Sequence, residues 1–301
     1  MFKQIWRKFA PNPLDQILKR AVKENSRKFL IAWNRGLGDI PLGLYALVYR
    51  VREFVPDAEI TFLTRSDLKE AFSFLKDVRV LVGVHWKRGV DFDLDRTLAD
   101  LNLERSCFDV ILERPDPTYW VQWQLGTMVP QLQWKRDWDG LCERFGLSDR
   151  MYIGVHVQTE TNYGYQKNWP THFWEEFFEK LSRQLNHQII LFGFQRTPVF
   201  DFPGIVDLRG KTSLFEMLSI IKNHCRVLVA PDSGVLSITY YLAEDFPIKM
   251  ISLWADPNQG VLKQNVHSPN SLLVHVPLIG QNKDISQIPV ETVTDIILGK
   301  L

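Results

Sequence analysis

The chain has 301 residues, 45% of them apolar and 24% charged, with a formal net charge of +1. That length accommodates two ordinary domains, the composition is that of a globular protein, and the near-neutral balance gives no basis for nucleic-acid binding. The cysteines Cys107, Cys142 and Cys225 are scattered and form no Cys-x-x-Cys pair, which argues against a disulfide framework or zinc site and for a reducing, cytoplasmic setting.

No apolar run reaches the roughly 18 residues of a membrane span, and the N-terminus lacks the apolar core of a secretory leader. Residues 1–27 form a distinct segment. Lys3, Arg7, Lys8, Lys19, Arg20, Lys23 and Arg27 alternate there with Phe2, Ile5, Trp6, Phe9, Leu14, Ile17 and Leu18, and Lys28 continues the charge. Such a basic amphipathic stretch suits an anionic membrane surface. It equally suits a helix packed on the body with a solvated basic face, and both readings stand at this point.

The next elements alternate. Lys28 to Trp33 reads as a strand buried on both faces, followed by the glycine turn Asn34 to Asp39 and a helix over 41–54 with Leu44, Leu47, Val48, Val51 and Phe54 on one face. Pro41 suits its first turn. Strands over 59–63 and 78–82 flank a helix over 68–75, and 110–112 reads as a further strand. The tryptophan-rich stretch 120–138 defeats periodicity. A second run starts near Ser148, with strands over 151–157, 188–192, 206–208, 226–230 and 248–254. Helices are expected over 169–185, 214–223 and 235–244, the first with Phe173, Phe177, Leu181 and Leu185 inward, and a closing helix over 285–301. The fold class is therefore α/β with doubly wound parallel sheets, one in 28–147 and one in 148–284.

Ligands bind such sheets at the carboxyl ends of the strands, so the strand-to-helix loops carry the chemistry. Asp39 stands at a helix start, either as an N-cap or as a general base. Gly36, Gly38 and Gly43 do not have dinucleotide-fingerprint spacing, Thr64-Arg65 replaces the acid that would hold a ribose, and no Walker loop is present. Lys167, Lys211-Thr212-Ser213 and Asp232-Ser233-Gly234 together suggest a pyrophosphate site. The Asp-x-Asp tripeptides at 91–93, 93–95 and 137–139 are too scattered to mark a metal site. His156, at a strand end, faces either a ligand or the core.

Three segments in order, KFLIAWNRGLGDIPLGLYALVYRVREFVPDAEITFL (28–63), IGVHVQTETNYGYQKNWPTHFWEEFFEKL (153–181) and VDLRGKTSLFEMLSIIKNHCRVLVAPDSG (206–234), resemble glycosyltransferase family 9, the heptosyltransferases. The resemblance implies a GT-B-type fold, two Rossmann-like domains facing a cleft, with an acceptor-side first domain and a donor-binding second. It implies an inverting, metal-independent enzyme without a cofactor, moving a heptose or related sugar from a nucleoside-diphosphate sugar to a lipid-linked or lipopolysaccharide-type saccharide, in the cytoplasm at the inner membrane face. Carried over by position, Asp39 is the base and Lys167 the phosphate lysine. His156, Gly210, Lys211, Thr212, Asp232, Ser233 and Gly234 lie on the donor side, and Arg35, Gly36 and Gly38 on the acceptor-side loop. Two departures touch the donor side: Ser237 stands where the family usually has histidine, and His156-Val157-Gln158-Thr159 replaces a His-Pro-Gly-type turn. A nucleotide-sugar epimerase and a non-catalytic nucleotide- or partner-binding descendant are the alternatives these departures leave.

Overall fold

The computed structural model describes residues 12–159, 166–184 and 189–300. It forms two compact units that divide after Pro130. The N-terminal residues 1–11, the middle of the loop after His156 (160–165), and Leu185 and Gln188 lie outside the described residues.

In the first unit, α1 (Pro13–Lys23) starts at Asn12, whose side chain accepts the Leu14 N–H at 2.9 Å, with Pro13 in the first turn. This is a standard cap, Asn before Pro. Leu14, Leu18 and Ala21 are buried while Lys19, Arg20 and Lys23 are exposed. Within 13–23 Leu14, Leu18 and Ala21 are thus spent on the protein core, and the basic residues meet solvent together with Gln16 and Val22. Strands β1 (Lys28–Trp33), β2 (Glu59–Thr64), β3 (Val78–Val82) and β4 (Val110–Leu112) form an all-parallel sheet in the order β3-β2-β1-β4. The predicted helix over 41–54 begins instead as a π-helical turn, Ile40–Leu44, before α2 (Tyr45–Phe54). Pro41 removes one N–H from the ladder. Gly43 presses on Pro117, and a Cβ there would lie 2.9 Å from Pro117 Cβ. Gln124 Nε2 donates to the Leu42 carbonyl at 2.8 Å. The helix expected over 68–75 is a 3₁₀ stretch, Ser66–Phe74. The shorter helices α3 (Leu94–Asp100) and α4 (Pro117–Trp120) are capped by Asp93 and Asp116.

The second unit begins at Gln131. Residues 131–147, grouped with the first domain by sequence pattern, pack on the second. Trp138 stacks on Phe215 at 4.0 Å, the Cys142 N–H donates to Ser219 Oγ at 3.2 Å, and Lys222 Nζ reaches Asp139 at 2.6 Å. Aromatic packing, which has no sequence period, hides this boundary. The sheet comprises β5 (Tyr152–His156), β6 (Ile189–Phe192), β7 (Ile205–Asp207), β8 (Cys225–Pro231), β9 (Ile248–Trp254) and β10 (Leu273–Ile279), all parallel in the order β10-β9-β8-β5-β6-β7. This is the Rossmann order, with its switch point between β5 and β8. The first unit repeats the same order as far as its fourth strand.

α5 (Thr171–Gln184) lays Trp174, Phe177, Phe178 and Leu181 into a core shared with Trp169, β5 and β6. Burying each such side chain is worth roughly 1.5–3 kcal/mol. The helices α6 (Leu214–His224), α7 (Gly234–Tyr240) and α8 (Gly260–Gln264) follow β7, β8 and β9. The closing helix is shorter than predicted: α9 (Val290–Ile297) follows a 3₁₀ turn, Ile285–Gln287, with Pro289 between them. It covers α5, and Val290, Val293 and Ile296 join the same core. β10 escapes prediction because it is an edge strand interrupted by Pro277, a residue tolerated only where a ladder N–H is dispensable.

Candidate functional site

In the first unit the turn between β1 and the π-helical turn holds Asp39. Its Oδ2 accepts the Gly36 N–H at 2.8 Å, and it makes no side-chain cap to the helix that follows. The backbone of Asp39 is already helical (φ −66°, ψ −20°), a conformation unlike the extended one of a capping residue. The capping reading is therefore set aside: the carboxylate folds back onto its own turn, at the carboxyl end of β1. Gly38 contributes its carbonyl to the Leu42 N–H at 3.2 Å. Arg35 is exposed, its guanidinium 5.8 Å from the Trp33 ring centre.

In the second unit the switch point is occupied by an ion pair. Lys167 Nζ lies 2.6 Å from Asp232 Oδ2, with the two side chains only 14% and 8% exposed. Asp232 is held from three sides. Its N–H donates to the Leu253 carbonyl, extending the β8–β9 ladder by one residue. Its Oδ1 lies against Gly260, where a Cβ would stand 2.7 Å from that oxygen and from the Trp254 ring. The backbone of Gly260 (φ +49°) also favours glycine. Lys167 is placed by its neighbours. The Asn168 side chain accepts the Thr159 N–H at 2.7 Å and donates to the Thr159 carbonyl at 2.9 Å, tying these two residues together. Trp169 Nε1 donates to the Ile288 carbonyl at 3.0 Å.

Ser233 caps α7, its Oγ accepting the Leu236 N–H at 3.2 Å. Ser237, at the position of the family histidine, is buried, and its hydroxyl donates to the Ser233 carbonyl at 3.1 Å. That departure tightens the turn from within.

His156 ends β5 beside β8. It is 5% exposed, and its Nδ1 has no hydrogen-bond partner among the described residues. Burial pushes its pKa down to about 4, so the ring is neutral at physiological pH. In the unfolded chain the same imidazole takes up a proton near pH 6.5. The unfolded state therefore binds more protons between about pH 4 and 6.5, and stability falls as the pH is lowered through that window. His156→Phe is expected to flatten this fall by up to about 3 kcal/mol at pH 4, as measured by urea unfolding across pH. His275, also lowered to about 4 by burial, keeps its own share of the slope.

The remaining donor-side prediction, Gly210-Lys211-Thr212, sits at the end of β7, with β6 and β5 between it and the ion pair. Gly210 (φ +66°) packs on the loop after β6, its N–H 2.7 Å from the Gly193 carbonyl. Lys211 Nζ donates to the Asp207 carbonyl at 2.7 Å. The support beneath them is Arg209, 1% exposed, which bonds both oxygens of Asp207 and the Pro198 carbonyl. Ser213 and Glu216 close a capping box on α6. The acidic tripeptides are used structurally: Asp93 caps α3, Asp91 pairs with Arg114, and Asp139 holds Lys222 and Trp134 Nε1.

Two parallel Rossmann-type units of this kind are the elements of a GT-B-type fold. Residues 117–263 match the family described as Glycosyltransferase family 9 (heptosyltransferase), so this stretch of the chain is similar to that family. The glycosyl transferase family 9 protein from Veillonella parvula DSM 2008 superposes with a TM-score of 0.59 at 14% identity, over 91% of this chain and 96% of the other. The E. coli ADP-heptose lps heptosyltransferase II gives 0.53 at 16% identity, over 91% and 99%. E. coli heptosyltransferase WaaC with ADP-2-deoxy-2-fluoro heptose gives 0.52 at 15% identity, over 91% and 100%. No curated protein matches the sequence. These structural likenesses establish the fold.

Proposed function

We propose that the protein transfers a heptose or related sugar from a nucleoside-diphosphate sugar to a saccharide acceptor of lipopolysaccharide type, with inversion and without a metal. The observation that carries this is the Lys167–Asp232 pair at the β5/β8 switch point, where a Rossmann sheet takes its nucleotide. The donor phosphates recruit Lys167, with Ser233 and Gly234 at the adjoining helix start. Asp39 takes the proton of the acceptor hydroxyl as its oxygen bonds to the anomeric carbon. The anomeric C–O bond to the diphosphate breaks, its electron pair leaves with the diphosphate, and Lys167 neutralises the charge that develops there. His156, neutral and buried at the same strand end, adds a ring nitrogen on the donor side. The basic exposed face of α1 and the residues before it favour an acceptor presented at an anionic membrane.

The test is a panel of nucleoside-diphosphate sugars with a lipopolysaccharide core acceptor, with and without EDTA. Release of one nucleoside diphosphate, an inverted product anomer and indifference to EDTA are expected. Retention of configuration, or no release with any donor, overturns the reading.

A further inference from the structure

The loop after β3 has no part in the reading above, yet it is fastened directly to the Asp39 turn. Asn34, 8% exposed, spends both amide protons on this loop, donating to the Lys87 carbonyl at 3.2 Å and to the Val90 carbonyl at 2.7 Å. Its own carbonyl accepts the Gly89 N–H at 3.2 Å. This staple encloses Arg88 and Gly89. The space beside the Gly36 Cα, where a side chain would begin, is bounded by Asp39 Oδ2 at 3.1 Å and Arg88 Nη2 at 3.6 Å. Carboxylate and guanidinium thus flank one glycine, and any larger residue at 36 would wedge between them.

A second arginine bears on Arg88 from the other side. Arg65, immediately after β2, is 7% exposed, and its Nε is buried without a hydrogen-bond partner. Its counter-charge is Asp67, through Nη2 at 2.9 Å. Arg65 and Arg88 repel each other, which favours Arg88 facing the carboxylate. Of the other charges on these elements, Arg35 lies 5.8 Å from the Trp33 ring centre, Lys87 is exposed, and Asp91 pairs with Arg114 at 3.3 Å.

We infer that Arg88 is a positioning residue for Asp39, held in place by Asn34 and steered by Arg65, and that it keeps the carboxylate charged and oriented for proton abstraction. The catalytic consequence rests on the proposed role of Asp39; the coupling of the two groups does not. An arginine beside an aspartate favours the ionised form, an effect of about 1–3 pH units. The probe is the Asp39 carboxyl carbon itself, followed by ¹³C NMR titration of aspartate-labelled full-length protein and assigned by its loss in Asp39→Asn. In Arg88→Gln the titration is expected to move up by about one pH unit, and in Arg88→Lys by less. With turnover, the acidic limb of kcat/KM follows by the same amount, so activity measured below that limb falls about tenfold and activity well above it is unchanged. An unmoved titration in both variants overturns the inference. If Asp39→Asn retains turnover while the titration moves as expected, the base assignment fails and the coupling stands.

Discussion

Asp39→Asn is expected to slow turnover by about 10²–10⁴-fold, the usual contribution of a general base, with nucleoside-diphosphate affinity unchanged. Asparagine retains an oxygen for the Gly36 N–H that now bonds Asp39 at 2.8 Å, so the turn keeps its shape and only the proton acceptor is lost. Single-turnover kinetics with calorimetric titration of the diphosphate separates the two effects. Turnover at the wild-type rate would remove Asp39 from the mechanism. Loss of binding together with rate would instead show that the turn supports the donor.

Lys167→Ala is expected to have two separable consequences. The Asp232 side chain is only 8% exposed, and leaving a buried charge without its partner costs about 3–5 kcal/mol, visible as a lowered thermal midpoint. Nucleoside-diphosphate binding should also weaken by at least tenfold, since a charge-assisted hydrogen bond contributes about 1.5–3 kcal/mol. The double variant Lys167→Ala/Asp232→Asn distinguishes structure from function. Neutralising Asp232 should restore most of the stability but none of the lost affinity. A double variant that binds the diphosphate like wild type would reduce Lys167 to a structural counter-ion.

The parts of the fold legible in the sequence are those whose residues announce burial by pattern. KFLIAW and MYIGVHV read as strands because a parallel strand covered on both faces is apolar throughout, and the glycine turns after them mark the ligand edge. What sequence could not supply is the pairing of elements far apart in the chain. Residues 131–147 belong to the second unit because Trp138 finds Phe215 and Asp139 finds Lys222, contacts with no local signature. β10 was obscured by Pro277, and the π-helical start of α2 by the close approach of Pro117 to Gly43. Among the site residues, Lys167 and Asp232 were each visible, but their ion pair was not. Arg88 was invisible because its loop has no period, and its meaning depends on Asn34 reaching across to it. The one available signal was Asn34 itself, an amide at a buried strand end that must find partners somewhere.

The two borders of the six-stranded sheet bear on how the protein behaves at high concentration. An uncovered strand edge is a template on which another chain can add itself, and natural sheets blunt such edges with brevity or proline. β7, at one border, is three residues long. β10, at the other, exposes Val274 and Ile279 but carries Pro277 between them, a residue that offers no amide hydrogen to an incoming strand. Apolar side chains at that border can therefore stay in water without seeding a cross-strand polymer, and Pro277 is the gatekeeper that permits it.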